Sequence, residues 1–160
     1  MTERVKRAID IFLDAINNGT LMKGTCAACA VSNLVAHGMG LKLTPSTLFE
    51  YDNVSGWAIA FTTDASGQSI WEENFKMPEV VQCVRATDFT LEELMAIEFA
   101  FERAAEISYI EYGNHSPQQV RADQIAGLKA VVEVMLTFDD CKESVEEVFT
   151  QKAELIPIIN

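Results

Sequence analysis

The sequence predicts a mainly α-helical fold, a single-domain bundle of about five helices. Three observations favour it: apolar residues recur at helical spacing, capping signals precede the longest of these stretches, and 49% of the 160 residues are apolar with only four prolines. A chain of this length fits one domain, since domains cluster around roughly 100–150 residues. A small β-hairpin or irregular insert is expected around residues 52–87.

The first helix is expected over residues 3–17, because Asn18-Gly19 supplies a left-handed stop. A second helix is expected over residues 26–37, with Thr25 as its N-cap and Gly38 just past its end. This second segment is small or apolar on nearly every side, which predicts a helix at the centre of the bundle. The apolar stripe of the first helix consists of Val5, Ile9, Phe12, Leu13 and Ile16.

The segment that follows the second helix is the least readable. Thr44-Pro45 predicts the start of a short helix, with Pro at the first helical position. Residues 57–61 and 69–71 flank a polar stretch that fits either a hairpin loop or an interruption in a helix. Residues 79–84 are equally ambiguous, because short apolar runs do not distinguish strand from helix.

The second half of the chain carries clearer signals. A Thr-x-x-Glu capping box predicts a helix over residues 90–112, and a Ser-x-x-Gln box predicts one over residues 116–138. The short connection at residues 113–115 indicates that these two helices are antiparallel neighbours. A further start signal at residues 140–143 predicts a last helix that ends before Pro157.

Charge and cysteine usage exclude several classes of function. The chain has 24 acidic and 12 basic residues, a net charge of −12, which argues against nucleic acid and anionic membranes as partners. No apolar stretch reaches the roughly 20 residues of a membrane span. The N-terminal residues lack the apolar region of a secretory signal, and the four cysteines do not form a secreted disulfide framework. We therefore expect a cytoplasmic protein whose cysteines are thiols.

The recognisable chemical motif is Cys26-Ala-Ala-Cys29. Residues three apart on a helix lie on the same face, so the two sulfurs would bridge with little movement of the backbone. In the first turn of a helix, unpaired N–H groups favour a thiolate and lower the pKa of Cys26. The motif thus fits a dithiol redox site, with Cys26 as the attacking thiolate and Cys29 as the resolving thiol.

Two other interpretations of these cysteines remain open. Free cysteines also serve as small apolar residues in buried helices, and no βαβ pattern precedes the motif. Helical peroxidase-reductases place a histidine four residues after the second cysteine, where this chain has Asn33. A structural zinc site would need Cys83 and Cys141 as ligands, because His37 lies too far along the helix from either cysteine.

Two clusters are further candidates for function. Glu98, Glu102 and Glu106 recur at intervals of four and predict a solvated carboxylate ridge, since the Glu-x-x-His pairs of a dinuclear metal site are absent. Six aromatic residues fall within residues 49–75. Among them, the candidates for an apolar ligand pocket are Trp57, Phe61 and Trp71, although core packing or a subunit interface would explain the same cluster.

The chain contains no phosphate-loop, dinucleotide-binding, zincin or hydrolase motif. The leading hypothesis is therefore a small non-catalytic protein that acts by binding a protein or small molecule, or by self-association. A homo-oligomer is expected because the helices carry more apolar surface than one compact bundle hides. The alternatives are a thiol-disulfide or peroxide-reducing enzyme that uses Cys26 and Cys29, and a structural zinc protein. Neither a cofactor nor a metal is predicted.

Overall fold

The computed structural model describes residues 1–45, 74 and 76–156. These residues form helices and no strand, which confirms the prediction of a mainly helical, bundle-like fold. The described helices are α1 (Glu3–Asn18), α2 (Ala30–Gly38), α3 (Pro78–Arg85), α4 (Leu91–Ala104), a 3₁₀-helix (Tyr109–Asn114), α5 (Pro117–Phe138) and α6 (Val145–Gln151).

Helix α1 forms as predicted. Its apolar stripe is buried, and Gly19 ends it with a positive φ of 70°. The N–H of Gly19 donates to the carbonyl of Ile16, which pairs one of the carbonyls left free at the end of the helix.

Helix α2 lies in the interior, as its composition predicts, but its predicted start is wrong. Residues 30–36 are all buried, whereas the helix begins four residues later than expected. Gly38 is its last residue rather than the residue past its end. A Cβ at Gly38 would lie 1.7 Å from the carbonyl oxygen of Ala86, so glycine is required here by a close approach of two backbones.

Part of the predicted insert is helical. Residues 78–85 form α3, and Pro78 occupies its first turn, where the missing N–H has no helical partner to lose. The predicted short helix after Thr44-Pro45 and the hairpin around residues 57–71 lie outside the described residues. The aromatic candidates Trp57, Phe61 and Trp71 lie there too.

Helix α4 starts at the predicted capping box but ends eight residues early. Thr90 and Glu93 exchange the two expected hydrogen bonds. After Ala105 the chain turns away, because the N–H groups of Glu106 and Ile107 donate to the carboxylate of Asp123, at 2.7 and 3.0 Å. A side chain on α5 therefore replaces the helical partners that these two groups would otherwise have.

Helix α5 matches its prediction at both ends, and Ser116 and Gln119 form the expected capping box. The predicted start of the last helix is wrong. Helix α6 begins after Ser144, which forms a capping box with Glu147, while Asp140 has a positive φ of 49° in the preceding turn.

Among the described pairs of helices, α4 and α5 pack most extensively. A Cβ at Gly127 would lie 2.7 Å from the ring of Phe101, so these helices approach closely.

None of the described helices has both the length and the apolar character required to cross a bilayer.

Candidate functional site

The two cysteines of the motif lie in a loop whose shape is fixed by a buried amide. The side-chain nitrogen of Asn33, on α2, donates to the carbonyls of Thr20 and Cys29 at 2.9 Å and to that of Ala28 at 3.3 Å. The hydroxyl of Thr20 in turn donates to the amide oxygen. Because Asn33 is buried, its polar groups need these partners, and the loop carbonyls supply them.

The same loop is attached to the end of α4. The N–H of Tyr109 donates to the carbonyl of Lys23 at 3.0 Å, and the ammonium group of Lys23 donates to the carbonyl of Ala105. The N–H of Gly24 donates to the carboxylate of Glu102, at 3.0 Å to the nearer oxygen. Gly24 has a φ of +82°, which a glycine adopts without strain.

The helix that was expected to carry Cys26 begins only after Cys29. The sulfur of Cys29 is the N-cap and accepts a hydrogen bond from the N–H of Ser32 at 3.4 Å. Thr25, the predicted N-cap, instead accepts from the N–H of Ala27 in a local turn. Cys26 therefore does not lie in the first helical turn, and the helical spacing expected for the two sulfurs is wrong.

The two thiols differ in exposure. Cys29 is completely buried, and its sulfur lies 3.6 Å from the carbonyl oxygen of Cys26. Cys26 is partly exposed and lines a cleft of about 290 Å³. The other described residues that line this cleft are Gly24, Thr25, Glu98, Phe99 and Glu102. A molecule in the cleft thus reaches Cys26 before Cys29.

Glu98 is buried beneath this cleft, and the prediction of a solvated ridge is wrong for it. Only 5% of Glu98 is exposed. Its carboxylate accepts from the N–H of Val31, in the first turn of α2, at 3.2 Å. The thiol of Cys29 lies close enough to Glu98 for each group to shift the pKa of the other, while its hydrogen bond goes to the hydroxyl of Ser32 at 3.4 Å. Glu102 is partly exposed, and Glu106 alone of the three is fully at the surface.

Burial dominates the acid–base properties of the cluster. It raises the pKa of Glu98 to about 7, although the nearby thiol of Cys29 and the N–H of Val31 oppose that shift. Burial, followed by the charges of Glu98 and Glu102, raises the pKa of Cys26 to about 11. Burial, followed by the charge of Glu98, raises the pKa of Cys29 well above its usual value. The lowered pKa predicted for Cys26 is therefore wrong, because Cys26 is partly buried and faces carboxylates instead of free helical N–H groups.

The other two cysteines lie on different elements. Cys83 is buried on α3, and Cys141 follows the end of α5. Over residues 1–45, 74 and 76–156, no three His, Cys, Asp or Glu side chains are grouped so that they could hold a metal ion. The four-cysteine arrangement that a structural zinc site requires is therefore absent from this part of the chain.

Glu98 is the site residue that sequence reasoning missed. A signal for its burial exists, since Glu98 falls four residues after Leu94 and three before Phe101, both of which are buried on the inner face of α4. A carboxylate within an apolar stripe needs a hydrogen-bonding partner. Spacing alone does not reveal that the partners are the N-terminus of α2 and a cysteine.

The chain matches no protein-family model, no curated protein and no solved structure. Its chemistry is therefore inferred from its own residues.

Proposed function

We propose that the chain exchanges a dithiol and a disulfide with a partner, using Cys26 and Cys29. The observation that carries this proposal is the position of Glu98, a buried carboxylate that lines the same cleft as Cys26 and lies close enough to the thiol of Cys29 to interact with it. Titratable groups with strongly shifted pKa values in a cleft are typical of reactive sites. This arrangement favours thiol-disulfide exchange over the non-catalytic hypothesis that the sequence alone favours.

In the proposed reaction the thiolate of Cys26 attacks one sulfur of a disulfide in the partner. A mixed disulfide forms, and the first partner sulfur leaves as a thiolate and takes up a proton. The thiol of Cys29 then transfers its proton to the carboxylate of Glu98, and its sulfur attacks that of Cys26. The second partner thiolate leaves and is protonated in turn. The chain ends with a Cys26–Cys29 disulfide, and the partner ends with two thiols.

Glu98 suits the second step better than the first. Its pKa of about 7 allows it to accept a proton near neutral pH and release it again. Proton transfer from a buried thiol to a buried carboxylate also leaves the net charge of the interior unchanged, so it avoids the cost of burying an additional charge. Cys29 has no access to a base in bulk water, because its side chain is fully buried.

The test is a reaction of the reduced chain with excess hydroxyethyl disulfide, followed by alkylation and peptide mass spectrometry. We expect wild type to form a Cys26–Cys29 disulfide. Cys29→Ser should accumulate a mixed disulfide at Cys26, because no resolving thiol remains, and Cys26→Ser should react far more slowly at position 29. Cys141→Ser is the matched control, since Cys141 is also partly exposed but lies outside the site.

Adducts that form on Cys141 while Cys26 and Cys29 stay reduced would contradict the proposal. Equal amounts of the mixed disulfide at Cys26 in wild type and in Cys29→Ser would also contradict it, because a competent resolving thiol must remove this adduct.

A second candidate is the non-catalytic one, binding or self-association. Exposed apolar side chains favour it, above all Ile110, which is 75% exposed. We expect such a protein to sediment as a dimer or larger assembly at micromolar concentration, with no change when Cys26 is replaced. A monomer mass under those conditions would contradict self-association.

A further inference from the structure

The cleft in front of Cys26 is negatively charged. Two of the residues that line it are Glu98 and Glu102, and none of its described lining residues carries a positive charge. The nearby ammonium group of Lys23 is directed to the carbonyl of Ala105 at the end of α4. The chain as a whole carries a net charge of −12. A disulfide that approaches Cys26 therefore enters a negative field, which attracts cations and repels anions.

An apolar rim, formed by Phe99 and Tyr109, adjoins this cleft. The two side chains are 42% and 40% exposed. Gly24 connects them to the thiol: it lines the cleft together with Phe99, and a Cβ built on it would lie 3.7 Å from the ring of Tyr109. Exposed apolar side chains beside a reactive cleft are typical of a surface that contacts another protein.

Resting on the function proposed above, we infer that the disulfide this site takes belongs to a cationic segment of a partner protein, with apolar residues next to its cysteine. Basic side chains of the segment would pair with Glu102, the partly exposed carboxylate of the cleft, and its apolar residues would cover the rim. A second copy of this chain fits less well, because it would bring one acidic surface against another.

The two carboxylates give a cationic partner a second advantage. Their charges oppose ionisation of Cys26, so a thiolate forms rarely while the cleft is empty. A positive charge beside Glu102 offsets this effect and favours the thiolate at the moment the disulfide arrives. Anionic disulfides of low molecular weight gain neither a faster encounter nor a more reactive thiol.

The experiment measures oxidation of the Cys26–Cys29 pair by three small disulfides, each rate divided by the rate of the same disulfide with 2-mercaptoethanol. Cystamine is cationic, hydroxyethyl disulfide is neutral and oxidised glutathione is anionic. At low salt we expect cystamine to exceed oxidised glutathione by at least about tenfold, and the ratio to fall at high salt. Glu102→Gln should reduce the ratio, while Glu133→Gln, an exposed carboxylate on α5, should leave it unchanged.

A second arm tests the rim with two cationic peptide disulfides that carry either Leu or Ser next to the cysteine. We expect the Leu peptide to react several-fold faster, and Phe99→Ser to reduce that difference, because Phe99 lines the cleft. Leu155→Ser is the control, because Leu155 is exposed and apolar but lies outside the rim.

Equal normalised rates for the three small disulfides would overturn this inference, as would a preference for oxidised glutathione. It would also be overturned if the reduced chain formed dimers that Phe99→Ser abolished, since the rim would then be occupied by a second copy. Each of these results leaves the exchange reaction itself intact. If none of the disulfides oxidised the pair, the proposed function itself would fail.

Discussion

Replacement of Glu98 by glutamine should change how the stability of the protein depends on pH. Glutamine has nearly the shape of a protonated glutamate and retains an oxygen that accepts from the N–H of Val31. It cannot ionise. The substitution therefore removes the cost of burying a charge at this position and keeps the packing and the hydrogen bond to α2.

The size of the effect follows from the pKa. Burial raises the pKa of Glu98 from 4.5 to about 7, and such a shift corresponds to about 3 kcal/mol. Between these two values the folded chain holds a proton that the unfolded chain has lost, so wild type loses stability as the pH rises through this window. Glu98→Gln escapes that loss. We expect its stability relative to wild type to increase by about 3 kcal/mol from about pH 4 to about pH 8.

The assay is urea unfolding of both proteins, followed by circular dichroism at several pH values. The comparison between the two proteins cancels the titration of all shared groups. Glu106→Gln is the matched control, because this exposed carboxylate meets water in both states and its removal should leave the pH dependence unchanged. A difference between Glu98→Gln and wild type that stays constant to within about 1 kcal/mol across the range would refute a buried, ionising Glu98.

Two further predictions concern the scaffold of the site. Asn33→Ala removes the side-chain donor to the buried carbonyl of Thr20 and one of the two donors to the carbonyl of Cys29, so it should lower the free energy of unfolding by about 2–3 kcal/mol, as urea titration would measure. A loss below about 0.5 kcal/mol would show that the amide does not hold the loop. Gly38→Ala places a Cβ against the carbonyl of Ala86 and should cost about 1–3 kcal/mol. Unchanged thermal unfolding of Gly38→Ala would contradict the close approach of α2 to that carbonyl.

The sequence was most informative where the determinants of structure are local. The start of α5 was predicted because Ser116, Pro117 and Gln119 act on the backbone beside them. The end of α4 was missed because its determinant, the carboxylate of Asp123, comes from another helix. The start of α2 was missed because a cysteine sulfur, which is a weak acceptor, serves as its cap.

The candidate site shows the same division. The spacing of Cys26 and Cys29 placed two thiols three residues apart in the chain, and their types indicated dithiol chemistry. It did not reveal that Cys26 faces carboxylates, because Glu98 and Glu102 lie about 70 residues further along the chain. The prediction of a lowered pKa for Cys26 depended on a helical turn that the structure places after Cys29. Electrostatics of this kind depend on tertiary packing, which periodicity does not encode.

The most direct test of the central claim, that Glu98 accepts the proton of Cys29 during exchange, is the pH dependence of the resolving step. Stopped-flow reaction with 4,4′-dithiodipyridine releases one coloured thiol on attack by Cys26 and a second when Cys29 resolves the adduct. We expect the rate of the second release to rise with pH around an apparent pKa of about 7 in wild type, and to lose that inflection in Glu98→Gln. Identical profiles for the second release in the two proteins would contradict the claim.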